Sequence, residues 1–130
     1  MDMYSEKHLY SKEHEWIEVD GDTAKIGITH HAQEQLGDIV YVDLPELDSE
    51  FVAGDEFGSV ESVKAVAEVF MPVDGEILAV NEQLEETPET VNQDPHAGGW
   101  LVKVKLTNTA QLEGLMSHAD YAKFVSEESN

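Results

Sequence analysis

The run "FGSVESVKAVAEVFMP", residues 57 to 72, limits the fold more than any other stretch of the chain. Its apolar residues fit two periods. Val60, Val63, Ala67 and Phe70 share a helix face, while Val60, Val66 and Phe70 share strand parity. Composition decides between them. The segment is rich in β-branched valine, with Gly58 before it and Pro72 after it, so it reads as strand. Eleven uninterrupted strand residues would be long for a small domain, which places a reversal near Val63-Lys64. That tip holds no Gly, Asn or Asp, and it places one of only seven lysines in a valine-rich flank.

The rest of the chain also reads as mainly β. "EWIEVDGDTAKIGIT" is a hairpin turning at Asp20-Gly21. "THHAQEQLGD" is a short helix, capped by Thr29 and stopped by Gly37. "IVYVDLP" is a strand closed by Pro45, and Gly54-Asp55 and Asp74-Gly75 are turns. Residues 81–99 read as polar loop with one helical turn begun at Thr87-Pro88, and 100–106 as a strand. The tail gives one or two short helices, the last capped by Ser117 with Asp120 three residues on. "GDEFGSVE" (54–61) and "GEILAVNE" (75–82) form a faint repeat. It would imply two similar β-halves joined by a hairpin at Lys64.

Bulk properties exclude several functions. A chain of 130 residues is one domain, 1–130. It has no cysteine, hence no disulfide, thiolate metal site or catalytic thiol. Seven lysines against 28 carboxylates leave a net charge of −21, which opposes binding to nucleic acid or to an anionic membrane. No window is long and apolar enough for a membrane span, and "MDMYSEKHLY" lacks the pattern of a signal or transit peptide, so a cytoplasmic location is expected. His14-Glu15 and His30-His31 match no zinc spacing such as His-Glu-x-x-His, so no metal centre is expected.

On residues alone, three readings of Lys64 stay open. It could be an ordinary solvated charge. It could be a Schiff-base or general-base amine, although flanking Glu61 and Glu68 oppose the lowered pKa that this needs. It could be an attachment point, an amine held outward on a rigid tip for a long prosthetic group.

"SVESVKAVAEVFMPVDGEILAVNE" resembles the lipoylation hairpin of the glycine cleavage system H-protein family. Glu61-Ser-Val-Lys64-Ala carries the likeness, with Gly58 six residues before the lysine and Gly75 eleven after it. "YSKEHEWIEVDGD", "VNQDP…GGWLVKVK" and "LMSHADYAKFV" extend it over nearly the whole chain. Biotinyl domains usually flank their lysine with methionine, where Val63 and Ala65 stand here. Lipoyl domains of 2-oxo-acid dehydrogenases usually carry Asp-Lys-Ala. His96-Ala97 and Gln35 depart from the family pattern.

The resemblance implies a flattened lipoyl/biotinyl-type β-barrel, a barrel-sandwich hybrid, with short helices and a C-terminal helical segment. It implies a monomeric, non-catalytic carrier with lipoate amide-linked to Lys64. The implied partners are glycine decarboxylase (P protein), aminomethyltransferase (T protein), dihydrolipoyl dehydrogenase (L protein) and a lipoate-attaching enzyme. It further implies Glu15 as partner of the cationic aminomethyl group, Ile28 as an apolar wall and Glu68 as a weaker second carboxylate. Glu61 becomes a candidate contact for the attaching enzyme. An acidic interaction module that carries no prosthetic group is the rival reading.

Overall fold

The computed structural model describes residues 8–128. Residues 1–7, part of the stretch read above for a leader, lie outside them. Nine strands form two sheets among the described residues, with every neighbouring pair antiparallel. The six-stranded sheet runs in the order β1 (Leu9–Tyr10), β2 (Glu15–Asp20), β3 (Thr23–Ile28), β9 (Val102–Leu106), β8 (Gly75–Val80), β5 (Glu50–Phe51). The three-stranded sheet is β4 (Ile39–Asp43), β6 (Glu56–Ser62), β7 (Val66–Phe70). Short helices follow: α1 (His30–Leu36), α2 (Gln83–Glu86), α3 (Thr90–Gln93) and α4 (His118–Glu128), with a 3₁₀ turn at Thr109–Gly114. The expected β architecture with a C-terminal helix is present, as two sheets enclosing one main core.

Alternation decides which residues meet in that core. Ile17, Ile26, Val102, Val104 and Ile77 from the large sheet face Val42, Val60 and Val69 from the small one, all buried. A second cluster lies on the other side of the large sheet. Tyr10, Trp16 and Tyr121 are buried there, with the two tyrosine rings stacked at 4.7 Å. Trp16 lies opposite Gly27, where a Cβ would come within 2.8 Å of the indole, so only glycine admits that ring. This cluster fastens α4 to β1 and β2.

Two expectations need correction. Residues 81–99 hold two helical turns rather than one. Leu84 and Val91 are fully buried and anchor one turn each, worth about 1.5–3 kcal/mol per side chain. The polarity of the surrounding sequence concealed these two contacts. The repeat does fall on two sheets, with 54–61 running onto β6 and 75–82 covering β8, but its halves are not equivalent. Phe57 is buried while its counterpart Leu78 is exposed. The Lys64 hairpin joins β6 to β7 within one sheet, and the crossing to the other sheet comes after Phe70.

Candidate functional site: a lysine on a hairpin tip beside an acidic cleft

The strand run reverses between Ser62 and Val66, as the composition required. Glu61 pairs with Val66, and the Ser62 N–H donates to the Ala65 carbonyl at 2.7 Å. The Ser62 hydroxyl accepts from the N–H groups of Lys64 (3.2 Å) and Ala65 (3.0 Å). A serine side chain thus does the work for which glycine or asparagine is often chosen. The Val63 N–H donates to the Asp38 carbonyl at 3.1 Å, so the tip is tied to the link between α1 and β4. Lys64 is exposed, and its Cε passes close to Gly37, which has φ +85° and ends α1. The lysine is neither buried nor helical, and either would have excluded an attachment role.

Glu15 occupies the opposite kind of environment. It shares strand parity with Ile17, so its side chain lies on the core face of β2, directly across from Ile28. It is only 2% exposed. Burial pushes its carboxyl up from 4.5 to about 7. The Ser11 hydroxyl, donating at 2.6 Å, and the backbone N–H of Phe70 at 3.3 Å act the other way, and the nearby charge of Glu13 adds to the rise. The Phe70 contact also links the large sheet to the small one.

The loop before Glu15 is built for this geometry. Ser11 and Glu15 are the closing pair of a three-residue hairpin loop, and His14 takes the left-handed position with φ +68°. The Tyr121 hydroxyl from α4 lies 2.7 Å from His14 Nδ1 and 2.7 Å from the Thr29 hydroxyl. Thr29 in turn caps α1, accepting from the Ala32 N–H at 3.2 Å. The C-terminal helix therefore sets the walls of the site while contributing no charge to it.

Two cavities that share Glu13 lie along β7 between α1 and Glu15. The first, about 250 Å³, lies between α1 and β7 and is lined by His14, His31, Gln35, Leu36 and Ala67 together with Glu13. The second, about 360 Å³, is lined by Ser11, Glu15, Phe70 and Met71, again with Glu13. Glu13 is common to both, and the sequence reading missed it. Its position two residues before Glu15, in a loop rather than a strand, gave no periodic signal.

The other expected residues are spread out. Ile28 is buried core and touches the site only as the apolar neighbour of Glu15. Glu68 is exposed on β7 opposite Ser59 and lines neither cavity. Glu61 is exposed on β6 beside the tip. His96 accepts from the His30 N–H at 2.9 Å, giving that departure from the family pattern a structural part. Among the described residues no group of three or more histidine, aspartate and glutamate side chains is placed to hold a metal ion.

An exposed amine on a braced hairpin, with a polar-ended apolar cleft beginning beside it, defines a carrier domain that displays a group and can shelter it. The comparisons with known proteins make the assignment specific. Residues 8–128 match the family described as "Glycine cleavage H-protein". The chain is 55% identical over 122 residues to the glycine cleavage system H protein of Halothermothrix orenii, covering 94% of this chain and 95% of that one. It is 56% identical over 126 residues to the H protein of Koribacter versatilis, covering 97% of each. A crystal structure of the H protein from Mycobacterium marinum superposes with a TM-score of 0.86 at 35% identity, covering 94% of this chain and 98% of that one. The chain belongs to the glycine cleavage H-protein family, whose members are the lipoyl carriers of that system and are carrier subunits rather than enzymes.

Proposed function

We propose that Lys64 is the attachment point of the lipoyl group and that the chain shuttles between the P, T and L proteins. In this reading it works as a cytoplasmic monomer and is loaded by a lipoate-attaching enzyme. The observation that carries this reading is the exposed Lys64 at a tip braced by Ser62 and Asp38, next to the cleft that ends on Glu15. No helix among the described residues is long and apolar enough to cross a membrane. A net charge of −21 opposes self-association and favours brief, salt-sensitive encounters with basic faces of larger enzymes.

The residues present suit a tethered dithiolane. Leu36, Ala67 and Met71 offer apolar contact along the cavities. Lys64 extends past Gly37, where even an added Cβ would stand in ordinary contact, 3.7 Å from its Cε. When bound, the lipoyl group supplies a disulfide that accepts the aminomethyl unit and a dithiol that is later reoxidised.

The protein's own contribution is electrostatic shelter. With a carboxyl near 7, Glu15 is close to half protonated at neutral pH, so an empty cleft need not hold a full buried charge. A cationic amine arriving beside it favours the carboxylate, and the proton leaves to solvent. Glu13, exposed at the junction of both cavities, is the second carboxylate we assign, and Glu68 keeps the weaker position on open β7. Ile28 and Phe70 exclude water from Glu15, and the Ser11 hydroxyl orients it. The test is glycine–bicarbonate exchange by P protein. The loaded chain should support it, and Lys64→Arg, which keeps the charge but presents no acylable amine, should fall to background. Exchange sustained by the arginine variant would refute the assignment.

A further inference from the structure

Tyr121 of α4 is fully buried, yet it ends in a hydroxyl. Its ring stacks on Tyr10 at 4.7 Å, a contact that phenylalanine would make equally well. A hydroxyl held out of water costs stability unless it is bonded. This one meets His14 Nδ1 and Thr29 Oγ1, each at 2.7 Å. Those two residues belong to different walls of the cleft. His14 stands between Glu13 and Glu15 in the 11–15 loop. Thr29 caps α1, whose His31, Gln35 and Leu36 line the smaller cavity.

Neither wall holds its shape by local structure alone. His14 takes φ +68°, a left-handed conformation that a non-glycine residue adopts at a cost. α1 has seven residues, far below the length at which a helix is stable by itself. The backbones of the walls join where the Thr29 N–H donates to the His14 carbonyl at 3.0 Å. The Tyr121 hydroxyl joins the side chains of the same two residues, and the His14 and His31 rings lie 4.7 Å apart beside it. Glu15 is the next residue in the loop. Its N–H and its carboxylate both bond the Ser11 hydroxyl, so a loop that relaxes at His14 carries Glu15 with it.

We propose that Tyr121 is the positioning residue of the cleft: its hydroxyl holds the 11–15 loop against the start of α1 at the separation that keeps water from Glu15 and from an aminomethyl group lodged beside it. The proposal rests on Lys64 bearing the lipoyl arm and on Glu15 receiving the amine. Tyr121 lines neither cavity and acts through His14 and Thr29. The reaction that shelter must suppress is hydrolysis. Water takes the methylene as formaldehyde, the carbon–nitrogen and carbon–sulfur bonds break, ammonium leaves and the sulfur regains its proton as a thiol, with no oxidant or reductant involved. Opening the cleft admits that water and removes the desolvation that raises the proton affinity of Glu15. Glu13, His14 and His31 are the other titratable groups lining the two cavities.

The experiment compares the wild type with Tyr121→Phe, which keeps the stacked ring, and with Ile77→Val. Ile77 is a core residue that lines neither cavity, and its truncation costs a similar amount of stability. Two quantities are read. In the unloaded chain, carbon-13 NMR follows the titration of the Glu15 carboxyl. In the chain acylated at Lys64, charged by P protein with glycine and then freed of P protein, formaldehyde and ammonia released without T protein give the lifetime of the aminomethyl group. Expected for Tyr121→Phe are a Glu15 midpoint about one pH unit closer to 4.5 than in the wild type and release about tenfold faster. Ile77→Val should match the wild type in both. A Tyr121→Phe chain that equals the wild type, or that changes in one quantity without the other, overturns the positioning role alone. The same changes in Ile77→Val overturn it too, because any loss of stability would then suffice. A wild type never acylated at Lys64, or whose aminomethyl group decays as fast as that on free dihydrolipoamide, overturns the underlying reading and the proposal with it.

Discussion

Two regions separated by one short strand place their charged groups in opposite ways. At the tip, Lys64 is exposed and everything around it fixes the backbone: the Ser62 hydroxyl, the Asp38 carbonyl and the β6–β7 pairing. In the cleft, Glu15 is buried and its surroundings change its proton affinity, with Ile28 across the strand, Phe70 above and Ser11 beside it. A group that must be reached by other enzymes needs position without burial. A group that must shelter a cation needs burial balanced by hydrogen bonds. The difference teaches that a carrier's chemistry is divided between a display site and a storage site, with β7 as the path between them.

The largest effect separates display from fold. Lys64→Arg should abolish acylation while shifting stability by no more than about 0.5 kcal/mol, since the residue is exposed. Chemical denaturation beside the acylation assay checks both halves, and a destabilised variant would show that Lys64 also holds the tip together.

Glu15→Gln tests the storage site through pH. A carboxyl raised from 4.5 to about 7 favours the folded state through its neutral form. That stability is fully present below pH 4.5 and is lost as pH rises toward 7, a change of roughly 3 kcal/mol. Glutamine cannot ionise, so the variant should gain on the wild type by about this amount between pH 4.5 and 8. Parallel stability curves would mean that Glu15 titrates normally.

Gly58→Ala strikes the base of the hairpin. A Cβ there would collide with the Asp43 carbonyl oxygen on β4, so the strands must separate, at a cost of about 2–3 kcal/mol. Hydrogen exchange should localise the loss to β4 and β6 and leave β2 and β3 protected. Ser62→Ala should cost less than Gly58→Ala, about 1 kcal/mol, because one hydroxyl serves two N–H groups. Faster exchange of the Lys64 and Ala65 amides would mark it. A rigid tip without the hydroxyl would show that Asp38 suffices.

Local chemistry made much of this legible beforehand. The valine run between Gly58 and Pro72 was readable as two strands with a reversal because its length exceeded what one strand needs. Thr29, Gly37 and Ser117 were readable because caps act within a few residues. Ser62 was not legible because a hydroxyl that bonds the two following amides leaves none of the Gly, Asn or Asp signature of a turn. Glu15's burial was implicit in its parity with Ile17, yet the value near 7 depends on Phe70, 55 positions away. Glu13 was invisible for the same reason. A cavity wall and a sheet face are products of register, which single-strand patterns do not reveal.

The most direct test is where the lipoyl group goes. The chain, incubated with lipoate, ATP and a lipoate–protein ligase, is weighed intact and then mapped by peptide mass. A single lipoyl increment on the peptide holding Lys64, with the other lysines bare, is the predicted result. Persistently unmodified Lys64, or an increment on any other lysine, would contradict the account.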